Sequence, residues 1–154
     1  MGSTQEKAKK TVKIIFDTDG LIGSLSRIDL HYQTSQIILS QLQKSSAELI
    51  YPASVIAETV TLLQGRLNQP QLANALIQLL KNNSIMIEPV DNQVLHRAIF
   101  FIDVLKSKRN TLFDAIVAAI AEEHKADAIF SFDKFYKKNG FKLAGELSQI
   151  TSTP

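Results

Sequence analysis

The sequence predicts an α/β sandwich built around a parallel sheet, and three observations carry that prediction. Short apolar runs alternate with longer stretches of helical periodicity along most of the 154 residues. Two of those runs, Val12 to Phe16 and Ala128 to Phe132, are almost wholly apolar and each ends in an aspartate, as strands buried on both faces do. The segment Thr111 to His124 is apolar on nearly every side, which predicts a helix buried in the middle of a domain.

Taken in order, residues 1–11 (MGSTQEKAKKT) form a polar arm expected to be poorly ordered. Strand one is Val12 to Phe16, followed by a loop from Asp17 to Ser26. Ile37, Ile38 and Leu42 then set helical spacing over Tyr32 to Gln43. Strand two is Ala47 to Tyr51, ended by Pro52. Ser54 is placed to cap the next helix, whose apolar face (Val55, Ile56, Val60, Leu62, Leu63) runs to Gly65. Leu72, Ala73, Leu76, Leu79 and Leu80 predict a helix from about Pro70 to Lys81. Ile85 to Val90 alternates as strand three, and Val94, Leu95, Ala98, Ile99, Ile102 and Leu105 predict a helix over Gln93 to Leu105. The Thr111 to His124 helix and strand four, Ala128 to Phe132, follow. Phe141 to Leu143 is a candidate edge strand, before a weakly structured tail from Ser148 to Pro154. The whole fits one domain, residues 12–147.

Composition excludes several classes of function. There is no cysteine, so no disulfide framework and no thiolate metal site, and the three histidines His31, His96 and His124 have no ligand spacing. The longest apolar run, Leu112 to Ala121 interrupted by Asp114, is far short of a membrane span, and the N-terminus lacks the apolar stretch of a signal peptide. A soluble cytoplasmic protein is expected. A formal charge of +2 does not mark a nucleic-acid binder, but the distribution does more. Lys106, Lys108 and Arg109 precede Asp114, and Lys134, Lys137 and Lys138 follow Asp133, giving acidic positions a basic rim suited to a polyanion.

The acids themselves are the main signal. Asp17 and Asp133 follow strands, whereas Glu58 and Asp114 lie near helix starts. In a right-handed βαβ arrangement strand C-termini and helix N-termini share one face, so all four should converge. Two carboxylates about 4 Å apart repel by roughly 4 kcal/mol at an effective dielectric near 20, so such a cluster calls for protons or a cation. An all-oxygen set suits Mg²⁺ or Mn²⁺, hard ions commonly completed by phosphate oxygens. Each acid also has a structural alternative: an Asx turn for Asp17, Asp19 and Asp133, a helix-dipole partner for Glu58, and a capping box from Thr111 for Asp114.

The ordered set resembles the PIN-domain nucleases, especially the small VapC-type toxins. It comprises Asp17 after strand one, Glu58 in Ser54-Val55-Ile56-Ala57-Glu58, Asp114 in Phe113-Asp114-Ala115-Ile116-Val117-Ala118-Ala119, and Asp133 in Phe130-Ser131-Phe132-Asp133. The resemblance spans Lys13 to Leu143. It implies a three-layer α/β/α sandwich with a mainly parallel central sheet of four to five strands. It further implies a Mg²⁺- or Mn²⁺-dependent endoribonuclease that hydrolyses RNA phosphodiester bonds by in-line attack of a metal-bound water. Asp17 and Asp114 would be central ligands, Glu58 a ligand or orienter of the water, and Asp133 a ligand of a second or weaker ion. Family members are often homodimers, and the toxins are neutralised by a small antitoxin protein. Asp19 departs from the family's usual small polar residue and adds a fifth acid, a candidate second-metal ligand.

Two other readings follow from the same residues. Asp17-Thr18-Asp19-Gly20 resembles the first motif of haloacid dehalogenase-type phosphatases, with Asp17 as nucleophile, although that leaves Glu58 and Asp114 without a role. A catalytically inactive PIN-like RNA-binding domain is the third, against which stands the fact that all four acid positions are filled.

Overall fold

A computed structural model describes residues 10–150. Four strands, β1 (Lys13–Phe16), β2 (Glu48–Pro52), β3 (Met86–Glu88) and β4 (Ala128–Phe130), form one parallel sheet in the order β3-β2-β1-β4. It lies within a three-layer α/β/α sandwich, as the sequence led us to expect. Ile14, Ile15 and Phe16 on the central strand are buried on both faces, which is why that run needs no polar alternation. Phe16 stacks between Tyr51 and Phe130 of the neighbouring strands, at 4.5 and 4.7 Å between ring centroids. This aromatic row lies beneath the place where β1 ends in Asp17.

The helices are α1 (Thr18–Leu25), α2 (Tyr32–Lys44), α3 (Ala53–Gln64), α4 (Pro70–Lys81), α5 (Asn92–Ala98), α6 (Leu112–Glu123), α7 (Lys134–Lys138) and α8 (Ala144–Ile150). Every residue from Ala115 to Ala121 of α6 is buried. Its alanines let the helix approach β1, while α3 and α5 pack beside it. A second group, α1, α2 and α8, is packed together, with α8 against β4. Among the described residues no helix is long and apolar enough to cross a membrane.

The elements depart from the sequence expectation in six places. The expected loop from Asp17 to Ser26 is helix α1. Gly20 and Gly23 weaken helix propensity, but a Cβ on Gly20 would stand 2.0 Å from the Phe130 carbonyl oxygen and one on Gly23 2.7 Å from the Ser35 hydroxyl. Packing, not propensity, sets those two positions. Ser54 does not cap α3: the helix starts at Ala53, and the Ser54 hydroxyl is buried without a partner.

The helix expected over Gln93 to Leu105 stops as α5 and a 3-10 turn, Ile99–Phe101. Asp103 then forms a turn by accepting the Leu105 N–H at 3.0 Å, leaving Leu105 93% exposed, so the apolar spacing had no core to follow. Strand four ends at Phe130, and α7 follows unannounced because Lys134–Lys138 is too short to show a period. The expected edge strand at Phe141 to Leu143 reduces to a single parallel bridge between Leu143 and Ile129. Residues 148–150, expected in the weak tail, belong to α8; residues 151–154 and nearly all of the N-terminal arm, residues 1–9, lie outside the described residues.

Candidate active site

The site is assembled where β1, β4 and the first turns of α1 and α6 meet. Asp17 leaves β1 with its N–H on the Phe130 carbonyl at 3.2 Å and caps α1 by accepting the Thr18 N–H at 2.8 Å. Its other oxygen accepts the Ser131 hydroxyl at 2.9 Å. Asp19, in the first turn of α1, accepts the Phe132 N–H at 3.0 Å through Oδ2, while its Oδ1 is buried without a hydrogen-bond partner. Gly20 makes this possible: with no side chain, α1 can press its N-terminus onto the end of β4. The DTDG string is thus read by packing as well as by charge.

Asp114 supplies the acid half of the capping box foreseen at Thr111, accepting the Thr111 N–H at 2.8 Å through Oδ2. Asp133 caps α7, with Oδ1 on the Phe135 N–H at 2.9 Å and its own N–H on the Ser131 hydroxyl at 3.1 Å. Asn110 joins the last two: its amide donates to Asp133 Oδ2 at 3.0 Å and, more weakly, to Asp114 Oδ2 at 3.4 Å. A continuous hydrogen-bonded chain therefore runs Asp17, Ser131, Asp133, Asn110, Asp114.

Electrostatics set these carboxylates apart. Burial, then the charge of Asp19 and more weakly that of Asp114, pushes the Asp17 carboxyl well above its usual range, against the lowering effect of its hydrogen bonds. Burial also raises Asp19, with the charge of Asp133 adding to it, and raises Asp114, with Asp133 and Asp19 adding. Tyr136, wholly buried, is likewise raised well above its ordinary value, by burial and then by the charges of Asp17 and Asp114, a hydrogen bond to Asp17 and the charge of Asp19. Here four aspartates repel one another in a poorly solvated place.

Such a donor set fits a hard divalent cation. The donors are all carboxylate oxygens, like charges with no lysine or arginine among the described residues bonded to them, and one of those oxygens is buried and unpaired. Among the described residues no three or more acidic or histidine groups lie together closely enough to hold a metal ion as they stand. Each carboxylate is instead held by bonds to the chain.

Glu58 stands outside this network. It is half-buried in the second turn of α3, the helix that packs against both α1 and α6, and it shares no hydrogen bond or ion pair with the aspartates.

The basic residues divide. Arg109, Lys134 and Lys138 line a cleft of about 310 Å³ together with Asn110, Asp133 and two phenylalanines. Lys106 is paired with Asp103 at 3.4 Å and Lys137 with Glu146 at 3.2 Å, while Lys108 is exposed. A groove of about 580 Å³ along α2, lined by Gln36, Leu39, Gln43 and Leu49 among others, has no titratable side chain and offers no chemistry. Sequence reasoning missed Asn110 and gave Ser131 no role; neutral polar residues carry no signal until their partners are known.

Comparison with known proteins bears on the fold. The PIN domain family matches residues 14–142. No curated protein sequence matches. Among solved structures, the crystal structure of Mycobacterium tuberculosis VapC20, described as a sarcin-ricin loop cleaving toxin, superposes with a TM-score of 0.69 at 19% identity, covering 83% of this chain and 95% of that one.

Proposed function

This chain belongs to the PIN-domain family, and from that premise we propose that it is a divalent-metal-dependent endoribonuclease hydrolysing phosphodiester bonds in RNA, the toxin of a toxin–antitoxin pair. The observation that carries the reading is the hydrogen-bonded chain through Asp17, Asp133 and Asp114, with the charge of Asp19 acting on it, self-repelling and set beside a cationic cleft. Asp17, Asp19, Asp114 and Asp133 would hold Mg²⁺ or Mn²⁺. When bound, the ion supplies charge stabilisation to the dividing phosphodiester and lowers the pKa of the attacking water.

The chain's own part is positioning. Ser131 fixes Asp17 and Asp133 relative to each other, Asn110 does the same for Asp133 and Asp114, and the capping bond of Thr111 orients Asp114. Glu58, on a helix packed against α1 and α6, would orient the water. Arg109, Lys134 and Lys138, which line the cleft, supply the field that draws RNA in, whereas Lys106 and Lys137 are held by Asp103 and Glu146. By analogy with the family the protein acts in the cytoplasm as a homodimer and is silenced by an antitoxin. No feature of the structure favours the phosphatase alternative, since Asp114 joins the network that a lone Asp17-Thr18-Asp19-Gly20 motif would not require.

The test is an assay of RNA and of a small phosphate ester with Mg²⁺, Mn²⁺ or chelator. Metal-dependent RNA cleavage that disappears in Asp114→Asn, with the ester untouched, is the expected result. Equal cleavage by wild type and Asp114→Asn contradicts it.

A further inference from the structure

The cleft beside the acids combines two chemistries in one lining. Phe132 and Phe135 are only half-buried there, and Arg109, Lys134 and Lys138 are exposed around them. Phosphate binding alone would need no rings, and an apolar ligand would need no cations. Building on the nuclease reading, we propose that this cleft is a nucleotide subsite next to the scissile bond. A base lies against Phe132 and Phe135 while Arg109, Lys134 and Lys138 hold its phosphate.

The rings are set in place before any ligand arrives. Phe132 stacks on His31 with centroids 3.9 Å apart and planes 6° from parallel, and meets Phe130 edge-on at 6.3 Å. The His31 backbone is itself held by its main-chain N–H donating to Asp29 Oδ1 at 2.8 Å. Phe135 abuts Tyr136 edge-on at 5.2 Å. A rigid aromatic surface loses little entropy when a base stacks on it.

The backbone ties this surface to the acids. The Phe132 N–H is bonded to Asp19 at 3.0 Å and the Phe135 N–H to Asp133 at 2.9 Å. Both rings and Asp133 thus lie within residues 132–135, and seating a base there places the neighbouring phosphate at the carboxylates. The cations sort accordingly: Lys137 is turned to Glu146 and Lys106 to Asp103, leaving Arg109, Lys134 and Lys138 for the subsite.

The experiment measures binding of the full chain by fluorescence anisotropy in chelator, so that no cleavage intervenes. The probes are a short oligouridylate and a ribose-phosphate oligomer of the same length without bases. Stacking of one base is worth about tenfold, so wild type should bind oligouridylate about tenfold tighter than the abasic oligomer. Phe132→Leu should remove most of that difference and leave abasic binding unchanged. Lys138→Gln should weaken both probes about threefold or more at low salt, whereas Lys137→Gln changes neither by more than about twofold. Phe135→Leu repeats the ring test independently, and a melting curve shows which variants are folded.

Two folded ring variants that bind both probes like wild type overturn the subsite, as does a Lys137→Gln loss equal to that of Lys138→Gln. Cleavage of RNA by wild type with base-independent binding also overturns it and leaves the nuclease reading standing. Base-dependent binding lost in the ring variants, with no cleavage under any metal, supports the subsite and removes the nuclease reading.

Discussion

Asp127 and Asp17 stand at opposite ends of the paired strands β1 and β4, and their surroundings differ in every respect that matters to a carboxylate. Asp127, just before β4, accepts the Lys13 N–H at 2.8 Å and meets the Lys10 ammonium at 3.4 Å, partly open to solvent. Asp17, just after β1, is buried over an aromatic row, and the charges that act on it are those of Asp19 and Asp114. The first carboxylate is satisfied by the fold. The second is held against its own preference, which is the mark of a group kept for chemistry that the fold does not supply.

That contrast can be broken or sharpened by experiment. The largest expected effect is on catalysis. Asp17→Asn or Asp114→Asn should each remove several kcal/mol of transition-state stabilisation, roughly a thousandfold in RNA cleavage rate, while the melting temperature holds or rises. Asp127→Asn should leave cleavage within about twofold and lower stability by about 1 kcal/mol, because it weakens the bond to Lys13 and ends the attraction to Lys10. An activity loss at Asp127 equal to that at Asp17 would erase the distinction between the two ends.

Next in size is Gly20→Ala. A methyl group there meets the Phe130 carbonyl, so α1 must move off β4 at a cost of about 2–3 kcal/mol, read from denaturant midpoints. Asn110→Ala tests the clasp between Asp133 and Asp114. Cleavage should fall by about 10- to 100-fold with the folded state preserved, as is usual for residues that orient ligands.

The smallest effect is a pH dependence of stability at the Asp17 end. Asp17, Asp19 and Asp114 have folded-state values raised above their unfolded ones, so their stabilising contribution is full in acid and is lost as the pH rises through the raised values. Metal-free protein should therefore gain melting temperature as the pH is lowered from neutral toward about 5, and Asp19→Asn should flatten that rise. A melting profile identical in wild type and Asp19→Asn would contradict the electrostatic account.

Legibility in the sequence followed the strength of the local signal. Pro70 and a clean apolar stripe mark α4, and an apolar run with a capping box marks α6. α1 was hidden by two glycines that are there for close packing, and α7 by its length. The charged members of the site could be placed from strand and helix ends alone. Ser131 and Asn110, which connect them, could not, because a hydroxyl or amide acquires meaning only from what lies opposite it in space. Glu58 was placed near its helix start correctly, yet the bonds that link the aspartates do not reach it.

The central claim is that the aspartates jointly hold a divalent ion, and calorimetric titration of Mn²⁺ into the metal-free protein tests it most directly. Saturable binding by wild type and by Asp127→Asn, abolished in Asp17→Asn and Asp114→Asn, is the predicted result. Equal binding by all four proteins, or none by wild type, would contradict the account.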